Sequence, residues 1–104
     1  MTIVTHNDRI VIVSFKSSGT KLIFEGFKSS QYPSEIQKSA LRKLLILDAV
    51  TSINDLRVPL GNRLEKLVGD RIGQYSISIN DQWRICFVWT HENNTSDVEI
   101  VDYH

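Results

Sequence analysis

A chain of 104 residues, 41% hydrophobic, with 12 bases against 12 acids, suits one domain around one core, and its neutral balance excludes a protein that holds naked nucleic acid by charge alone. No apolar run approaches the roughly 20 residues that a bilayer span needs, and the first fifteen residues do not read as a secretory signal. Cys86 is the only cysteine, which excludes an internal disulfide, and its flanks Ile85 and Phe87 mark a buried structural thiol.

The expectation is therefore a single cytoplasmic domain over 1–104, with no membrane association and no cofactor. His6, His91 and His104 lie far apart without ligand-like spacing, so no metal is expected. The charges are unevenly spread. Between Lys16 and Lys43 there are six bases (Lys16, Lys21, Lys28, Lys38, Arg42, Lys43) against two acids (Glu25, Glu35). After Arg84 there are four acids (Glu92, Asp97, Glu99, Asp102) and no lysine or arginine. Such a split suits a partner on one side and a polyanion on the other, although solvated charge gives the same pattern.

The first ten residues are ambiguous, and 1–12 are a possible N-terminal extension. Residues 11–15, VIVSF, have the apolar run of a short strand. A short helix follows after Gly19, with Leu22, Ile23 and Phe27 on one face. Pro33 breaks the chain, and Ser34 with Gln37 three places on is a capping-box pattern opening a longer helix. Ile36, Ala40, Leu44 and Leu47 recur at helical spacing, Leu41 and Leu45 widen the stripe, and the helix is expected to reach about Thr51. PLGN at 59–62 is turn chemistry, and RLEKLVG from Arg63 gives mixed evidence for a strand.

The remainder reads as a meander. QYSISI alternates, with Tyr75, Ile77 and Ile79 on one face and Ser76 and Ser78 on the other. Asn80-Asp81 is a hairpin signal. WRICFVW returns with Trp83, Ile85, Phe87 and Trp89 on the packed face. HENNTSD is a loop, and VEIVDY is the last strand. Helices early and strands late predict an α+β fold, two helices on one face of a small twisted antiparallel sheet. Period two sends Arg84 to the face opposite Trp83 and Ile85. An unpaired arginine buried in mid-sheet is costly. The expectation is an open sheet face where Arg84 meets a phosphate or a carboxylate. The competing reading is a salt bridge to Asp102 or Glu99.

Three features together resemble one family: Gly-Asp-Arg followed by Gly at 69–73, Asn-x-x-Trp-Arg-Ile at 80–85, and Asp-Tyr-His at 102–104. With SFKSSGTKLIFEG near the start, the chain from about residue 13 resembles the HigB-like "killer protein" branch of the RelE/ParE toxin superfamily. The resemblance implies a compact RelE-like toxin of a type II toxin–antitoxin system. It implies ribosome-dependent, metal-independent endonuclease cleavage of messenger RNA. It also implies a helix-turn-helix, HigA-like antitoxin, through which alone operator DNA is met. Carried over by position, Arg84 contacts the scissile phosphate, and Asp102, Tyr103 and His104 complete the catalytic set. Arg63 and Arg71 bind RNA, and Lys43, with Lys38 and Arg42, is a candidate for docking on ribosomal RNA. Some members have a histidine and a lysine just before Gly-Asp-Arg; here Glu65 and Val68 stand there, which weakens the expected nuclease.

These residue types permit the chemistry. The RNA's own 2′-hydroxyl is the nucleophile, so a base, a cation for the phosphorus and an acid for the leaving oxygen are required. His104 is able to serve as acid or base near neutrality. Asp102 either orients that imidazole or acts as base itself. Arg84 forks onto phosphate oxygens, and Tyr103 stacks on a base or bonds the phosphate. The competing readings on the same fold are a ParE-like toxin that inhibits gyrase without RNA chemistry, and a plain protein-binding module.

Overall fold

A computed structural model of the chain describes residues 11–90 and 94–103; the expectations placed on the first ten residues, on His91 and on His104 lie outside the described residues. In chain order come helices α1 (Ser18–Phe24) and α2 (Ser34–Leu47), then strands β1 (Glu65–Lys66), β2 (Gln74–Ser78), β3 (Trp83–Trp89) and β4 (Thr95–Asp102). Short 3-10 turns at Ile53–Arg57, Leu60–Asn62 and Gly69–Arg71 fill the connections. The strands form one antiparallel sheet in the order β1-β2-β3-β4. This is the α+β arrangement that the sequence implies. Ile23 of α1 and Ile36, Ala40, Leu44 and Leu47 of α2 share one core with Ile77, Ile85, Phe87, Val98 and Ile100 of the sheet.

α1 begins earlier than expected. Ser17 caps it, with its Oγ accepting from the Thr20 N–H at 3.1 Å. Gly26, at φ +92°, ends it before Phe27. Phe27 thus leaves the helical face assigned to it and is 63% exposed; Ile23 carries the packing. In α2 the expected capping box does not form. Pro33 is the cap residue and makes no side-chain cap bond. Gln37 instead braces the loop between the helices, donating from Nε2 to the carbonyls of Ser29 (2.6 Å) and Tyr32 (2.9 Å). The helix stops at Leu47, short of Thr51, and Leu45 faces solvent. Asp48 closes it, and its Oδ1 accepts from the N–H groups of Val11 and Ile12.

The run at 11–15 does not become a regular strand. It lies parallel to β4 through two isolated bridges, Ile12 to Thr95 and Phe15 to Val98. Val13 and Lys16 donate to the carbonyls of Thr95 (2.8 Å) and Val98 (3.0 Å), and Thr95 and Val98 donate back to Val11 and Ser14. Asp97, in the left-handed region at φ +52°, interrupts this pairing and makes it irregular. The stretch from Arg63 contributes only the two residues of β1. β4 starts three residues before the expected Val98. The hairpin at Asn80 closes as expected: Asn80 Oδ1 accepts from the N–H groups of Gln82 and Trp83, each at 2.8 Å. Among the described residues no helix is long and apolar enough to cross a membrane.

Register sets the two faces. Ile77, Ile85 and Ile100 stand in one row of the core face. Ser76, Ser78, Arg84 and Cys86 take the other face, as alternation requires. That face is not open at these positions. Arg84 is 6% exposed, and the two serines and the thiol are buried with it.

Candidate active site

The second face of the sheet is built around Arg84. From the middle of the sheet its side chain meets a ring of acceptors rather than water. Nε donates to Ser76 Oγ at 2.7 Å, and Nη2 donates to the Arg63 carbonyl at 2.6 Å and to the Ser76 carbonyl at 3.3 Å. A Glu65 carboxylate oxygen lies 3.6 Å from Nη2. The Tyr103 ring covers the group, with its centroid 5.4 Å from the guanidinium carbon. Burial of the cation is thus compatible with stability because its donors are satisfied and a counter-charge stands beside it. The open-face expectation fails because period two tells which side a residue faces, not what covers that side. The salt bridge that does form is to Glu65, not to Asp102 or Glu99.

The cover comes from the turns between α2 and β2. Asn62 is fully buried and donates from Nδ2 to the carbonyls of Leu56 and Val58. Its Oδ1 accepts from Lys43 Nζ at 2.5 Å. Lys43 is thereby engaged in pinning this loop, and burial first, then the charge of Arg42, pulls its pKa down. Its ammonium is a clamp on Asn62, and the contacts at Arg84 do not include it. Arg63 follows at φ +48°, a left-handed residue that aims its carbonyl at Arg84. The Arg63 side chain points outward, 3.6 Å from Asp81. β1 then pairs Glu65 with Ser76, which puts the carboxylate on Arg84's face. Gly69 (φ +68°) and Gly73 (φ +93°) bracket Arg71, whose Nη1 donates to Gln74 Oε1 (3.0 Å) and Glu99 Oε1 (3.1 Å).

Asp102 and Tyr103 do not gather on one side. Trp83 pairs with Asp102 and Arg84 with Val101, so Asp102 lies on Trp83's face, away from Arg84. Asp102 there accepts from Gln82 Nε2, at 3.2 Å to each oxygen. Tyr103, one residue on, returns to Arg84's face, and its N–H donates to the Gln82 carbonyl at 2.7 Å. Between Tyr103 and β1 opens a cleft of about 230 Å³, lined by Glu65, Lys66, Leu67, Val68, Arg71 and Tyr103. Sequence reasoning missed Glu65 and Ser76 as members of this site. The one signal for Glu65 was its standing where some members of the resembled family show a histidine.

Cys86 sits at the cluster's edge with no exposed surface. Burial pushes its thiol up despite Arg71 and Arg84 nearby, which keeps it a neutral, inert group. Among the described residues no three His, Cys, Asp or Glu side chains come together as a metal site. What the cluster offers chemically is a cleft lined by the Glu65 carboxylate, the Arg71 cation and the Tyr103 ring, with the fixed Arg84 cation beneath that ring. Those groups suit a phosphate with a base attached.

The family model for "RelE-like toxin of type II toxin-antitoxin system HigB" matches residues 13–104. Toxin HigB-1 of Vibrio cholerae is 41% identical over 78 residues, 74% of this chain and 82% of its own. Endoribonuclease HigB of Proteus vulgaris is 33% identical over 94 residues, 90% of this chain and 100% of its own. An uncharacterized protein of Haemophilus influenzae is 38% identical over 79 residues, 76% of each chain. Matched by that family model from residue 13 to residue 104, and by relatives along most of their own lengths, the chain belongs to the HigB family of RelE-like toxins of type II toxin–antitoxin systems.

Proposed function

We propose that this toxin is a metal-independent endoribonuclease that cuts messenger RNA on the ribosome. The observation that carries the reading is the Arg84 guanidinium buried under the Tyr103 ring, which itself lines a cleft edged by Glu65 and Arg71. In this reading Arg84 neutralises charge on the scissile phosphate, Tyr103 moves from the guanidinium onto a base of the message, and His104 protonates the leaving 5′-oxygen. Asp102 acts from the other face, fixing through Gln82 the strand end from which Tyr103 departs. Arg63 and Arg71 hold neighbouring phosphates, and Arg42 with Lys38 presents a basic patch to ribosomal RNA, behind which Lys43 stays clamped on Asn62. The neutral net charge fits an enzyme to which the ribosome presents the message.

Membership of a type II toxin–antitoxin family implies an antitoxin partner. We assign it the helix-turn-helix, HigA-like class, which brings operator DNA to the complex, and place both proteins in the cytoplasm. The test is purified toxin added to ribosomes programmed with one message, read by primer extension. New 5′ ends inside the translated region, dependent on the ribosome, are expected. An intact message together with DNA breaks in a gyrase assay overturns the reading in favour of a ParE-like toxin.

A further inference from the structure

Metal-free cleavage of RNA needs a group to take the proton of the 2′-hydroxyl, and the described carboxylates differ sharply in their fitness for it. Asp102 lies across the sheet from Arg84. Asp81 is at the hairpin tip, 99% exposed, with Arg63. Glu99 is on the correct face but 17% exposed, and one oxygen serves both Arg71 at 3.1 Å and Lys16 at 3.9 Å. Glu65 alone of these four lines the cleft beside Tyr103, 53% exposed, with an oxygen 3.6 Å from Arg84. That separation is an ion pair without a hydrogen bond, so its oxygens remain available to accept a proton.

The backbone holds this pair in place. The carbonyl of Arg63, two residues before Glu65, is bonded directly to Arg84, and Glu65 is paired with Ser76, whose hydroxyl and carbonyl both bond Arg84. Once Tyr103 has left the guanidinium for a base of the message, a phosphate seated there has its adjacent ribose within reach of the carboxylate. We propose that Glu65 is the general base of the cleavage reaction, an assignment that rests on the endonuclease reading above. The Glu65 carboxylate takes the 2′-hydroxyl proton, the 2′-oxygen forms a bond to phosphorus, and the bond from phosphorus to the 5′-oxygen breaks. The departing oxygen receives a proton from the acid, giving a 2′,3′-cyclic phosphate and a 5′-hydroxyl with no change of oxidation state.

The experiment is single-turnover cleavage of one ribosome-bound message by wild type, Glu65→Gln and Glu65→His, across pH, with thermal melts and ribosome pelleting on the same preparations. Glu65→Gln removes the counter-charge of Arg84, so it is expected to melt somewhat lower, yet still to fold and pellet with ribosomes below that midpoint while cutting about a hundred- to ten-thousandfold more slowly. Glu65→His restores cleavage and moves the acid limb of the pH profile upward, because an imidazole ordinarily titrates about two units above a carboxylate. Cleavage by Glu65→Gln within threefold of wild type, with the same pH profile, overturns the assignment and leaves Glu65 an ion-pair partner of Arg84. A wild-type protein that leaves every message intact overturns the endonuclease reading itself, and the assignment with it.

Discussion

Arg84→Lys separates the structural service of this residue from the one proposed for it on the phosphate. On an open face, Arg84→Ala would disturb only activity. In the buried site alanine strips partners from Ser76 Oγ and the Arg63 carbonyl at once and leaves Glu65 without its counter-ion, so loss of function and loss of fold arrive together. Lysine keeps the charge but has one nitrogen in place of the fork. It is able to replace either the 2.7 Å bond to Ser76 or the 2.6 Å bond to Arg63, not both. A hydrogen bond from a charged donor is worth about 1.5–3 kcal/mol, and the site is too buried for water to compensate. The expected cost is about 2 kcal/mol of stability, a fall in Tm of roughly 10 °C for a domain of this size. Losing one prong on the phosphate takes a further factor of about 10–100 from the rate. Denaturant unfolding followed by circular dichroism gives the first quantity, and single-turnover cleavage at a temperature where both proteins are folded gives the second. A lysine variant that unfolds at the wild-type midpoint and cuts at the wild-type rate refutes both uses of the fork.

Tyr32→Phe is expected to cost about 1–3 kcal/mol in the same unfolding assay. The Tyr32 hydroxyl donates to the Ile100 carbonyl at 3.0 Å and meets Ser17 Oγ and Thr20 Oγ1, so it ties α1 to β4; a loss under about 0.5 kcal/mol removes that account. Cys86 should resist iodoacetamide at pH 8 in the native protein and react once urea unfolds it, because burial both shields the thiol and raises its pKa. Rapid native alkylation, followed by mass spectrometry, contradicts a sealed second face.

The parts of the fold that repeat were legible. β3 runs over the same seven residues that its alternation marks, and the stripe Ile36, Ala40, Leu44, Leu47 is the buried edge of α2. The covering of Arg84 was not legible, since it depends on Arg63, Gly69 and Gly73 in positive-φ turns that carry no periodicity. β1 is two residues long and takes its register from β2, so it has no pattern of its own to read. Ser34 and Gln37 mimic a capping box, but the free carbonyls of Ser29 and Tyr32 compete for the same glutamine and win. One error was avoidable. Asp102 and Tyr103 are consecutive, and period two alone forbids both from standing beside Arg84.

β4 is paired on both sides, with β3 along one edge and with residues 11–16 along the other. Its position in the sheet therefore conflicts with its position in the order of synthesis. A domain generally folds as a unit, and the chain is made from its N-terminal end at about 5–20 residues per second. Here Val11 waits for Thr95, which is 84 residues away, so its partner arrives roughly 4–17 s later at those rates. Until then the nascent chain is without Val98 and Ile100 in its core and without Tyr103 over Arg84. A chain cut short anywhere before Thr95 is released without the strand that completes the core and carries Tyr103 over Arg84.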